Sequence, residues 1–125
     1  MEKAAPLLDE EHLARLSELD EDSGKITELC RRYLDSIPPQ FERMRELLAA
    51  GNAAGLEHEA HGLSGSSGMY GMPRLRQCSQ ALLVRARRRE LEGAGELLAE
   101  LERTFEESRP LLLEALSPEA RARRS

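Results

Sequence analysis

At 125 residues and 40% hydrophobic content, the chain has the size of one domain and enough apolar side chains for a single core. Its 23 acidic residues against 18 basic ones leave a net charge of -5, which argues against whole-chain nucleic-acid binding. No apolar run approaches the roughly 20 residues of a membrane span. Two Phe, two Tyr and no Trp leave the core mostly to Leu and Ala. The N-terminal stretch lacks the apolar stretch of a signal peptide, so a cytoplasmic location is expected. Cys30 and Cys78 stand far apart, each within an apolar helical pattern. Two buried free thiols are expected, rather than a disulfide or a metal site.

Strand signals are nearly absent, with Val84 the single valine. Residues 1–8 read as an N-terminal extension. A short helix follows from Asp9 to about Leu19, with Leu13, Leu16 and Leu19 at three-residue spacing. The run Asp20 to Gly24 breaks it, and Ser23 is a candidate cap for the next helix. Ile26, Leu29, Cys30, Tyr33, Leu34 and Ile37 then form a one-sided stripe. Pro38-Pro39 interrupts it, and Phe41, Met44, Leu47 and Leu48 resume it up to Gly51-Asn52, as one kinked helix or two in series. A third helix is expected from Ala53 to Met69, closed by Gly71. Pro73 suits the first turn of a fourth, Arg74 to about Arg89, with Leu75, Cys78, Leu82 and Ala86 inward. A last helix spans about Ala94 to Leu116, with Pro110 a bend. Ser117-Pro118 ends it and leaves residues 117–125 as a flexible basic tail. Short connections between amphipathic helices predict an all-α fold for residues 9–116. The architecture is an antiparallel up-down four-helix bundle with an additional short N-terminal helix. It is expected as a monomer, with Leu29, Leu47, Leu63, Leu82 and Leu101 in one core.

One segment departs from helix-optimised composition. Within Glu57 to Gly68 stand Gly62, Gly65 and Gly68 together with Ser64, Ser66 and Ser67. Each interior glycine costs a helix about 1 kcal/mol relative to alanine. Helical phase places Leu56, Ala60, Leu63 and Ser67 on the buried side. His61 then lies roughly 130° from the centre of that side, facing solvent. Gly65 and Gly68 follow it on the exposed stripe, so another molecule has close access to the imidazole. Ser64 stands between stripe and core. From His61 to Arg89 the only charged residues are Arg74, Arg76, Arg85, Arg87, Arg88 and Arg89. Such a run is a solvated face or a surface suited to phosphate or an acidic partner.

The run Ala60-His61-Gly62-Leu63-Ser64-Gly65-Ser66-Ser67, followed by Gly71, resembles the histidine-containing phosphotransfer domain of two-component phosphorelays. The resemblance extends over residues 9 to 116, including the proline-interrupted helix, the Gly51-Asn52 turn and the Leu75, Cys78, Leu82 spacing. It implies that His61 accepts a phosphoryl group from the aspartyl phosphate of a receiver domain and passes it to another. The implied partners are response-regulator receiver domains and hybrid histidine kinases, with no nucleic acid and no membrane insertion. It implies no intrinsic cofactor, since the receiver brings the Mg²⁺ and most of the transition-state electrostatics. Two positions depart from the family pattern. The usual lysine three residues after the histidine is Ser64, and the Gln or Glu that orients the imidazole from the next helix is Leu83. Arg87, one turn on, matches a basic position of some members, and Gln80 is a candidate polar substitute. His58 and Gly68 are placed at the partner-facing rim.

Other readings of the same residues are weaker. His58, Glu59 and His61 fall one residue short of zinc-protease spacing and lack a third ligand. His12 is expected to be exposed on the opening helix, and Met44, Met69 and Met72 to serve core or helix-end packing. Ser66 and Ser67 are expected to permit close helix packing or to bond back to a carbonyl. Against a phosphocarrier stand two alternatives. One is an adaptor that binds receivers or a kinase without transferring phosphate, and the other a plain bundle whose glycines serve packing.

Overall fold

A computed structural model describes residues 3–20 and 24–124, which form helices without a strand. The elements are α1 (Glu10–Asp20), α2 (Lys25–Ala49), α3 (Ala53–Met69), α4 (Pro73–Arg87), α5 (Ala94–Ala115) and α6 (Pro118–Arg124). Helices α2 to α5 close a ring, each touching its sequence neighbour and α5 returning to α2. The fold is therefore the expected all-α bundle, with α1 added against α2.

The buried stripe of α2 is Cys30, Leu34, Ile37, Phe41 and Met44, a regular alternation of three and four residues. That register excludes Leu29, which is 50% exposed and corrects its expected place in the core. Leu47 is half-buried at the core's edge, whereas Leu63, Leu82 and Leu101 are fully buried. Pro38 and Pro39 lie inside α2, which continues through them as one helix. The two Phe residues meet between α2 and α5, Phe41 edge-on to Phe105 with centroids 5.6 Å apart. Ser67, Ser79 and Ser108 are buried, and each donates its hydroxyl to the carbonyl four residues before it. These small residues let helices approach without leaving a buried polar atom unpaired.

The expected cap Ser23 lies outside the described residues, and Gly24 precedes α2 with φ +72°. At the far end of α3, Gly71 adopts φ +73°, and a Cβ there would lie 2.9 Å from Leu13 Cδ2. Only glycine both turns the chain here and admits α1. Asp9 donates its N–H to the Gly71 carbonyl, and the His12 ring meets the Met69 carbonyl at 2.6 Å. His12 is thus half-buried and engaged with the end of α3, not exposed as expected. Met44 and Met72 are in the core, while Met69, the last residue of α3, is 65% exposed. The two cysteines form no disulfide, as expected; Cys30 is buried, but Cys78 is half-buried, with its thiol beside the Thr104 hydroxyl and pushed up by desolvation.

The described residues at both ends of the chain make contacts with the bundle. The extension runs along α4, where the Arg74 N–H donates to the Pro6 carbonyl and the Gln77 amide to the Lys3 carbonyl. Ser117-Pro118 ends α5 as expected and also starts α6, which replaces the expected flexible tail. The Ser117 hydroxyl accepts the Ala120 N–H, Pro118 takes the first turn, and Ala120 is buried. A stop signal for one helix is chemically the same as a start signal for the next.

Helices α2, α3 and α4 end in the same hydrogen-bonded motif, in which the residue after the cap takes a left-handed conformation. In α2 and α3 that residue is Gly51 or Gly71; in α4 it is Arg89, at φ +61°. The left-handed turn ends α4 at Arg87, two residues before its expected end. Relieving its strain by Arg89→Gly is expected to stabilise the protein by about 0.5–1 kcal/mol in a denaturant titration, since a Cβ is costly in this conformation.

Candidate functional site

Helix α3 is set by the residue before it: the Asn52 side chain accepts the Gly55 N–H at 2.9 Å. From that start, Ala53, Leu56, Ala60, Leu63, Ser64 and Ser67 turn inward. His61 is exposed on the opposite side, as its phase requires, and His58 is exposed one turn before it. Gly62 and Gly65 face open space: a Cβ on either would meet no heavy atom within 4 Å. Packing therefore does not demand these two glycines, and the imidazole stands on a helix face cleared of side chains. Gly68 differs, because a Cβ there would lie 3.2 Å from Arg76 Cδ. The Arg76 chain lies across Gly68 and limits the rim role expected for this glycine.

Two carboxylates on α3 fasten its flanks. Glu59 turns toward α2, meeting Gln40 Nε2 at 3.2 Å and Arg43 Nε at 3.4 Å. Glu57 turns toward α4, meeting Arg87 Nε at 3.4 Å and Arg89 Nη1 at 3.5 Å. Glu57 lies one turn before His61, about 40° around the helix from it, so His61 leans toward α4. The same number of residues separates Gly68 from Glu57 as separates Arg76 from Arg87. This antiparallel register sets Leu83 level with His61, and Leu83 is buried.

Ser64 is buried in the seam between stripe and core and presents no charge near the imidazole. Gln80 is exposed on α4, bordering a groove that includes Cys78, Val84 and Leu97. Arg87 is exposed beside α3, but its partner is Glu57. This carboxylate escaped the sequence reading, which weighed the arginines as a run without a counter-ion. Its spacing of four residues before His61 was the available signal. On the α2 side, Tyr33 donates to or accepts from the Ser66 hydroxyl at 2.8 Å and stacks on Tyr70 at 4.1 Å. Burial pushes the Tyr33 phenol up, with the Ser66 and Ser67 hydroxyls opposing, so it stays neutral and braces the back of α3. Ser66 and Ser67 both bond back to the Leu63 carbonyl.

Among the described residues no group of three or more His, Cys, Asp or Glu side chains is arranged to hold a metal ion, and no helix is long and apolar enough to cross a membrane. The arrangement offers two exposed imidazoles on one helix face, of which His61 is the one followed directly by the glycines that leave its approach open, with arginines along the edge.

Comparison with known proteins gives the same picture. The family model described as the Hpt domain matches residues 28–110. The crystal structure of histidine-containing phosphotransfer protein B (HptB) from Pseudomonas aeruginosa PAO1 superposes with a TM-score of 0.82 at 32% identity, covering 90% of this chain and 96% of that one. No curated protein matches.

Proposed function

The chain belongs to the Hpt domain family of two-component systems, and on that premise we propose that it carries a phosphoryl group on His61 between aspartates of response-regulator and hybrid-kinase receiver domains. The observation that carries this reading is the exposure of His61 beside two glycines that packing does not require. In the forward step a ring nitrogen attacks the phosphorus of an aspartyl phosphate. The N–P bond forms as the P–O bond breaks, and the electron pair returns to the aspartate carboxylate. The proton on the other ring nitrogen passes to solvent or stays as positive charge on the ring. Transfer to the next receiver is the reverse. An imidazole suits both directions, as a nucleophile through its ring-nitrogen lone pair and as a leaving group on the return. The receiver supplies the Mg²⁺ that neutralises charge on the moving group, and this chain supplies nucleophile and docking face. In this reading the protein acts in the cytoplasm as a monomer.

Buried Ser64 and apolar Leu83 favour a second reading, an adaptor that docks receivers without taking phosphate, because the family position for a cation carries a buried hydroxyl and the position for a Gln or Glu carries an apolar side chain. Incubation with phosphorylated receiver domains of the source organism separates the two. The carrier acquires an acid-labile, alkali-stable label, whereas binding without label identifies the adaptor. In the same assay Gly65→Glu is expected to slow labelling at least tenfold by placing a charged side chain in the approach path. Its fold should hold or gain up to about 1 kcal/mol, because an interior glycine is replaced by a better helix former. Unfolding of this variant would assign Gly65 to packing.

A further inference from the structure

We propose that Glu57 is a positioning residue that sets the lifetime of phosphorylated His61 by holding Arg87 and Arg89 in the resting protein and yielding Arg87 to the phosphoryl group. This rests on the carrier reading above. Three observations on different elements converge. On α3, Glu57 lies one turn from His61 and on the α4 side of the exposed face. From the last residue of α4 and from the turn after it, the guanidinium groups of Arg87 and Arg89 meet its carboxylate at 3.4 and 3.5 Å. Just after α4, Arg89 occupies the left-handed position that α2 and α3 give to glycine, and its Nη1, which also donates to the Ala86 carbonyl at 3.0 Å, stands beside Glu57 against the local backbone preference.

The pairing is weak enough to exchange. The Glu57 side chain is 32% exposed and those of Arg87 and Arg89 are 60% and 58%, so solvent screens both contacts. A phosphoryl group on His61 brings nearly two negative charges and three strong acceptor oxygens to the same helix face. An arginine fork then has a better acceptor within reach of its flexible stem. Register gives this contact its importance. Leu83 stands level with His61 and Ser64 is buried, so neither position supplies a charged group to the phosphoryl oxygens. Arg76, the remaining α4 arginine near the face, lies against Gly68 at its other end.

The sign of the effect follows from how a phosphohistidine hydrolyses. Water attacks phosphorus, the N–P bond breaks with its electron pair going to the ring nitrogen, and inorganic phosphate leaves. Protonation of the phosphorylated ring makes it the better leaving group. A nearby carboxylate favours that proton and a nearby guanidinium disfavours it. Glu57 therefore shortens the lifetime twice, weakly through its own charge and mainly by competing with the phosphoryl group for the arginines.

The test uses the full chain phosphorylated directly by phosphoramidate and followed by phosphorus NMR. Glu57→Gln is expected to lengthen the phosphohistidine half-life about two- to fivefold, the range of an exposed charge contact. It should also lower the second phosphoryl pKa. Arg87→Ala should shift both in the opposite direction. In an Arg87→Ala/Arg89→Ala background, Glu57→Gln should lose most of its effect. A half-life and phosphoryl pKa within error of wild type in Glu57→Gln would overturn the proposal, and so would an undiminished effect without the arginines, which would leave simple repulsion. If the wild-type chain takes no label at all, the carrier reading falls with it; if it labels normally and Glu57→Gln changes nothing, only the role of Glu57 falls. Circular dichroism melts of each variant exclude unfolding as the cause.

Discussion

His61→Gln is expected to abolish acid-labile labelling by phosphorylated receivers, to below about one part in a thousand of the wild-type signal, while the bundle melts as before. Both halves follow from the position. The imidazole is exposed, and neither neighbouring glycine brings a side chain against it, so replacing it removes no buried surface. Glutamine is a good helix former and keeps a polar group at the surface, so helicity is preserved. Its amide nitrogen has delocalised its lone pair into the carbonyl and cannot take phosphorus. His58, one turn away, is also exposed and is the natural control. His58→Gln should retain label, with at most a modest change in rate from its place at the docking rim. Residual acid-labile label in His61→Gln that disappears with His58→Gln would move the phosphoacceptor by one turn.

Leu63→Ala is expected to destabilise the fold by about 2–5 kcal/mol, read as a fall in denaturant midpoint at unchanged slope. Leu63 is fully buried at the centre of α3, two residues after His61. Its truncation leaves a cavity between helices whose backbones are held in place by the remaining core. The side chain of Leu29 provides the contrast. It is half exposed outside the buried stripe of α2, so Leu29→Ala should cost about 1 kcal/mol or less. Equal losses at the two sites would mean that α2 is rotated from the register described here. At the reduced stability of Leu63→Ala, phosphoryl transfer measured well below its melting temperature should persist, because the residue acts on the scaffold and not on the phosphoryl group.

Much of this protein is local in origin and was legible as such. Amphipathic spacing placed α3 and α5 to within a residue, Pro73 and Gly71 marked the α3–α4 turn, and the phase of α3 put His61 on the solvent face. Each of these depends on residues within a turn or two of one another, where steric and hydrogen-bonding preferences act without help from the rest of the chain. Leu29 shows where such reasoning ends. Two neighbouring apolar residues, Leu29 and Cys30, both fit a stripe, and only packing against the neighbouring helices chooses between them. The Ser117-Pro118 pair shows the same limit, since its chemistry both stops and starts a helix. Ala120 finding a buried site decided that a helix follows. The surroundings of His61 were decided furthest from the local sequence. Glu57 meets Arg87 and Arg89 because two antiparallel helices lock in one register across a glycine turn, bringing together side chains some thirty residues apart. That register is set by the summed packing of the buried faces, not by the charges themselves, whose exposed contact is too weak to direct it.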